Sequence, residues 1–135
     1  MSKEVHSQFN VQVYYEDTDH SGVVYHANYL RYFERAREHL LGVEALVKLF
    51  KEEQTGFVVY TANLTYKKGA EFGDNILIET IVTRSSAYRL VFKQTAILKT
   101  SGVLLVEADI ELVCVNAKRQ LVKLPKMVLD ALDFS

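Results

Sequence analysis

The chain has 135 residues, of which 49% are hydrophobic and 24% charged, with a single proline. It is long enough for one domain with a core of its own and too rich in apolar residues for a disordered or linker segment. Sixteen Lys and Arg against seventeen Asp and Glu leave a net charge of −1, so there is no broad positive field to hold a nucleic-acid backbone, and nucleic acid is not an expected partner. One cysteine, an N-terminus without an apolar signal core and no aliphatic run long enough to span a bilayer point to a reduced, cytoplasmic protein.

From Phe9 the residues alternate, with Phe9, Val11, Val13 and Tyr15 on one side and polar residues mostly on the other, which is the period of a strand. A polar loop over residues 16–22 follows. Tyr29, Phe33, Ala36 and Leu40 then recur at helical spacing, with Asn28 as the expected N-cap and Gly42 as a break. Val43, Leu46, Val47 and Phe50 form a second short apolar stripe. Beyond Gly56 the pattern is of strands over 57–66, 76–83, 88–99 and 104–115, with a weaker one over 121–124 and turn residues between them. This order predicts a single α+β domain over residues 1–135, an antiparallel sheet covering one dominant helix. The alternating face of Tyr88, Leu90, Phe92 and Ala96 is the expected cover. Exposed sheet edges predict pairing between subunits, hence a homo-oligomer.

Chemistry concentrates at the junction of the first strand and the long helix, where Tyr15, Asp17, Asp19, His20, Ser21, His26 and Asn28 crowd together. Residues 17–22 open like a calcium-binding EF-hand loop, but position 28, where the bidentate Glu belongs, is Asn, and a strand rather than a helix precedes the loop. Asp17, Asp19, His20 and His26 have no diagnostic metal spacing, so no metal is expected. Ser21 lacks a nucleophile elbow, Cys114 lies between two valines, and the glycines at 69 and 73 do not have phosphate-loop spacing.

The stretch VYYEDTDHSGVVYHANYLRYFERAR, residues 13–37, resembles the signature of the YbgC-like acyl-CoA thioesterases, in the 4-hydroxybenzoyl-CoA thioesterase branch of the hotdog-fold proteins. Weaker likeness continues through AEFGD at 70–74, FKQ at 92–94, VCVN at 113–116 and LPK at 124–126. The resemblance implies a hotdog fold, with an antiparallel sheet wrapped around one long central helix. It also implies dimers or homotetramers with active sites between subunits. The implied substrate is an acyl-CoA, with coenzyme A as part of the substrate and no separate cofactor. Asp19 matches the family's catalytic carboxylate, and Tyr15 and His26 match the tyrosine and histidine that accompany it. The alternative is a non-catalytic binder of acyl groups or acyl carrier protein tied to the Tol-Pal envelope system, peripheral to the inner membrane.

A thioester carbonyl is already electrophilic and its thiolate leaves readily, so one ionised carboxylate suffices, either attacking the carbonyl or deprotonating a water. Backbone N–H groups around Tyr25 to Asn28, at the positive end of the helix, are the expected oxyanion donors. Lys67, Lys68 and Arg89, with Arg84 and Lys93, are candidates to meet coenzyme A phosphates. Tyr60, Tyr66 and Phe72 are candidate walls for the acyl group.

Overall fold

A computed structural model describes residues 3–134. In chain order it contains strand β1 (Val5–Gln12), a short 3-10 turn (Tyr15–Asp17), helices α1 (Asn28–Leu41) and α2 (Val43–Glu53), and strands β2 (Gly56–Tyr66), β3 (Asn75–Arg84), β4 (Arg89–Leu98), β5 (Leu104–Val115) and β6 (Leu121–Val122). Helix α3 (Lys126–Ala131) ends it. The strands form one antiparallel sheet in the order β1-β3-β4-β5-β2, with β6 paired to β5.

One face of the sheet wraps α1. Tyr29, Phe33 and Ala36 of the helix are buried against Leu90, Phe92 and Ala96 of β4, with Ile76, Ile78 and Ile110 beside them. Each of the larger side chains contributes about 1.5–3 kcal/mol through the apolar surface it removes from water. Tyr88, expected in that cover, is 39% exposed because it precedes the strand.

Three expectations about local structure are corrected, and one helix is added. The first strand ends at Gln12, and the 3-10 turn swings Tyr15 out to 77% exposure instead of continuing the inward face of Phe9, Val11 and Val13. Asn28 is the first helical residue rather than the cap, since Ala27 holds the N-cap position. The second helix buries Leu49, while Val43, Val47 and Phe50 of the expected stripe are exposed. Gly42, at φ +96°, ends α1 where the break was expected, and the rotation of α2 about its own axis is what the stripe does not give. Helix α3 was not anticipated from the sequence; its Val128 and Leu129 close the core after Pro125.

Two edges of the sheet remain. Strand β2 is exposed along most of its length, including Val58, Val59, Tyr60 and Tyr66, and a register shift at Tyr60 bends it. Cys114 on β5 is fully buried, and burial pushes its thiol up to about 12. A thiol-specific reagent at pH 8 is therefore expected to label the native protein negligibly and to label it stoichiometrically in denaturant. Fast labelling of the native form would contradict this packing. No helix among the described residues is long and apolar enough to cross a membrane.

Candidate active site

The segment between β1 and α1 is held by backbone bonds to the loop ahead of β3. Val13 N–H donates to Asp74 O at 2.9 Å, Gly73 N–H to Val13 O at 2.9 Å, and Val24 N–H to Ala70 O at 2.8 Å. Within the segment, Asp17 is the organiser. Its Oδ2 accepts the Tyr14 amide at 2.8 Å, its Oδ1 accepts the Asn28 side-chain amide at 2.7 Å, and its carbonyl accepts the Tyr25 amide at 2.9 Å. The carboxylate thus joins the end of the first strand to the first turn of α1, and the buried Tyr32 hydroxyl lies beside it. Burial, and then the Asp17 charge, push the Tyr32 phenol upward, so it stays neutral across the physiological range.

Asp19 sits at the tip, in a tight turn closed by Gly22 N–H to Asp19 O at 3.0 Å and Asp19 N–H to Val23 O at 2.9 Å. Gly22 has φ +88°, which a residue with a side chain adopts only with strain. The Asp19 Oδ1 accepts both the Ser21 amide at 2.9 Å and the Ser21 hydroxyl at 2.6 Å, and Oδ2 receives neither. The Ser21 hydroxyl is the main cause holding the Asp19 carboxyl below its ordinary value. Desolvation, second in size, opposes it, and the backbone amides of Ser21 and Val23 and then the charge of His26 reinforce it. Asp19 is therefore ionised at neutral pH, with one oxygen locked and the other clear of that lock.

At the start of α1 the Tyr25 amide is spent on Asp17 and the Asn28 amide on Tyr25 O at 2.8 Å. The amides of His26 and Ala27 have no acceptor among the described residues, as the first turn of a helix leaves its donors open. They form a pair of N–H donors at the positive end of a 14-residue helix. The His26 ring packs on Tyr25 at 4.5 Å between centroids and meets the edge of Tyr66 at 6.0 Å. The Tyr66 hydroxyl donates to His26 O at 3.0 Å and so ties the end of β2 to the helix start.

The structure brings Asp19, His26, Tyr25 and Asn28 together, and places Tyr15 at the rim with its ring against Phe72 at 5.9 Å. Lys67 and Lys68 follow Tyr66 directly. Both donate backbone amides to Leu105 O, and the Lys67 side chain pairs with Glu107 at 3.7 Å. Arg89 does not join them within one subunit. It pairs with Val113 of β5 whereas Tyr66 pairs with Val106, seven residues away and about 23 Å along a strand. There it stacks on Tyr60 at 4.4 Å and pairs with Glu111 at 3.6 Å. Tyr60 accordingly lies away from the loop, while Tyr66 and Phe72 lie on it. Asp17 and Ser21, which had no assigned role, carry the geometry; the spacing Asp-x-Ser, which favours a side-chain-to-backbone turn, was the available signal. Among the described residues no group of three His, Cys, Asp or Glu side chains could hold a metal ion, and Asp17 is already committed to backbone and Asn28.

Residues 13–132 match the family model of the thioesterase-like superfamily. The chain belongs to the thioesterase-like superfamily. Within this superfamily it is similar to the acyl-CoA thioesterase YbgC of Haemophilus influenzae, at 39% identity over 126 residues and 91% of either chain. It is also similar to the acyl-CoA thioester hydrolase YbgC of Escherichia coli O6:H1, at 38% identity over 88% of this chain and 90% of the relative. The crystal structure of a 1,4-dihydroxy-2-naphthoyl-CoA thioesterase from Synechocystis shares the fold with a TM-score of 0.88 and 26% identity, over 96% of each chain. The YbgC-like membership read from residues 13–37 and the α+β hotdog fold both hold for this thioesterase-like chain.

Proposed function

We propose that the protein hydrolyses acyl-CoA thioesters to a free carboxylic acid and coenzyme A, with the Asp19 carboxylate at the reacting carbonyl. The observation that carries this reading is the pairing of an ionised carboxylate, locked through one oxygen by Ser21, with two open amides at the start of α1. The names of the YbgC relatives agree with it. Oδ2 either attacks the thioester carbon or takes a proton from a water that does so. The carbonyl oxygen gains negative charge, which the His26 and Ala27 amides accept as hydrogen bonds, and the C–S bond breaks as the thiolate departs. If Asp19 attacks, water then hydrolyses the mixed anhydride; by either route one water is consumed and the thiol takes up a proton. His26 and Tyr25 border the reacting group, and Asn28 holds the helix start through Asp17. Tyr15 with Phe72 offers an aromatic rim.

Lys67 and Lys68, which directly follow the Tyr66 that bonds His26, are the cations of this reading for the coenzyme A phosphates. The exposed β2 edge supports a dimer by antiparallel pairing of two β2 strands. That pairing turns the Arg89 end of one subunit toward the Lys67 end of the other and puts the site between subunits. Such a dimer is the unit from which a homotetramer is built. The buried unpaired thiol of Cys114 fits a cytoplasmic location. The test is thiol release from a panel of short, long-chain and aromatic acyl-CoAs, with acyl carrier protein thioesters as a second arm, on protein whose mass has been fixed by sedimentation. Turnover on part of the panel supports the reading, and inactivity on all of it rejects it.

The ionisation of Asp19 has a sign that can be checked. A carboxyl held below its ordinary value stays charged as pH falls past the point where a free aspartate would protonate, so the acid limb of kcat/KM that belongs to Asp19 is expected below pH 3.8. Ser21→Ala removes the largest cause of the shift and should move that limb upward. An unchanged limb in the variant would mean that another group sets it.

A further inference from the structure

We propose that the Tyr66 hydroxyl is a positioning group for the reaction, acting through the peptide that joins His26 to Ala27. The role rests on the hydrolysis proposed above and deepens it, because it assigns what aims one of the two oxyanion donors. The Ala27 N–H, one of the open amides, and the His26 C=O are opposite edges of one rigid plane, so whatever holds the carbonyl also aims the N–H. The Tyr66 hydroxyl, 40 residues away in the chain, donates to that carbonyl at 3.0 Å.

The helix gives this carbonyl little else. The start of α1 is tightened into bonds three residues apart, with Asn28 N–H to Tyr25 O at 2.8 Å, Tyr29 N–H to His26 O at 3.4 Å and Leu30 N–H to Ala27 O at 3.2 Å. Among the described residues the His26 carbonyl therefore receives only the long bond from Tyr29, and Tyr66 supplies the shorter one. Tyr66 is itself held by the sheet. As the last residue of β2 it pairs with Val106 of β5, and the amides of Lys67 and Lys68 that follow both donate to Leu105 O. Its ring meets those of His26 and the buried Tyr29 at 6.0 Å each. A Cβ added at Gly69 would lie 2.9 Å from Val23 Cγ1, so the chain leaving β2 runs flush against the active-site loop and the sheet sets the distance between them.

A hydrogen bond accepted at a peptide carbonyl polarises the amide and makes the N–H at its other edge a better donor, by about 10–30% per bond. It also holds the donor in place before charge develops, and such preorganisation is the source of oxyanion stabilisation. Partial burial pushes the Tyr66 phenol above its ordinary value, so it keeps the proton that it donates across the neutral range. A residue that only walled the acyl group would act through its ring. The role assigned here lies in the oxygen alone, and Tyr66→Phe separates the two.

Tyr66 is 45% exposed, and the variant keeps the ring and its packing, so its melting temperature should stay close to that of the parent. On the acyl-CoA that the wild type hydrolyses best, Tyr66→Phe is expected to lower kcat and kcat/KM together by about tenfold with KM within about twofold, less than the ~10²–10³-fold lost when an oxyanion donor is deleted outright. In a nitrogen–proton correlation spectrum of the free protein the Ala27 amide nitrogen should move upfield, because the carbonyl of its peptide has lost a hydrogen bond. The Ser21 and Gly22 amides of the Asp19 turn should keep their positions. A wild type inactive on the whole acyl-CoA panel would sink the hydrolysis and this role with it. An active wild type whose Tyr66→Phe variant keeps more than about half of kcat, loses efficiency only through a raised KM, or leaves the Ala27 resonance in place would overturn the role of Tyr66 and leave the hydrolysis standing.

Discussion

Asp19→Asn is expected to lower kcat for acyl-CoA hydrolysis by roughly 10²–10⁴-fold, with KM and thermal stability close to those of the parent. The amide has the shape of the carboxylate, and its oxygen still accepts the Ser21 amide and hydroxyl, so the turn that Gly22 closes persists. What is lost is the negative charge, and with it both the nucleophile and the base. The open amides of His26 and Ala27 remain, and they should sustain a residual rate above the uncatalysed one. Thiol release measured on the wild type and the variant, each checked by circular dichroism, decides the matter. A variant that keeps more than about a tenth of the rate would remove Asp19 from the chemistry, since a positioned base contributes far more than that.

Gln94→Met is expected to destabilise the fold by about 3 kcal/mol, without any contact with the active-site loop. Gln94 is 1% exposed and makes three bonds. Its Nε2 donates to Phe33 O at 3.1 Å and to Thr80 Oγ1 at 3.0 Å, and its Oε1 accepts Arg37 Nη1 at 2.9 Å. Methionine fills nearly the same volume but leaves the Arg37 guanidinium without its acceptor and the buried Thr80 hydroxyl without a donor. Removing one partner of a buried charge costs more than the bond was worth, because the remaining charge stays desolvated. In a urea titration the midpoint should fall at unchanged slope, with the melting temperature down by roughly 10 °C. Adding Arg37→Met to Gln94→Met should recover part of the loss, since the orphaned charge is then gone. A loss below about 1 kcal/mol in the single variant would mean that the guanidinium is already satisfied elsewhere.

These two residues also mark how far the sequence could be read. Asp19 stood out because it lies in a run of polar residues between a two-residue and a helical period, and because residues 13–37 resemble a family signature. Gln94 did not, since it sits at an alternating position of a strand, where its period says only that it faces inward. The partners that make it consequential lie 57, 61 and 14 residues away, on α1 and β3. The same limit explains Arg37, which falls between the apolar positions of α1 and reads as surface until the sheet closes over it.

Local order was legible wherever it depends on neighbours in the chain. The strands of the second half, the break at Gly42 and the polar turn before α1 all follow from side-chain period and backbone freedom, which act over a few residues. Strand β1, by contrast, stops three residues before its alternation does, because Asp17 reaches back to the Tyr14 amide and turns the chain. Helix α2 shows the same override, burying Leu49 and leaving Val47 and Phe50 on a groove wall, since packing against α1 and β2 fixes its rotation. By itself the sequence determined the α+β layout, the family and the loop that carries Asp19. Only the tertiary structure decided which oxygen of Asp19 is locked, which amides stay open, and that Arg89 lies at the far end of the sheet from Lys67. Those outcomes depend on contacts between residues distant in the chain, whose free energies appear only when the whole core has closed.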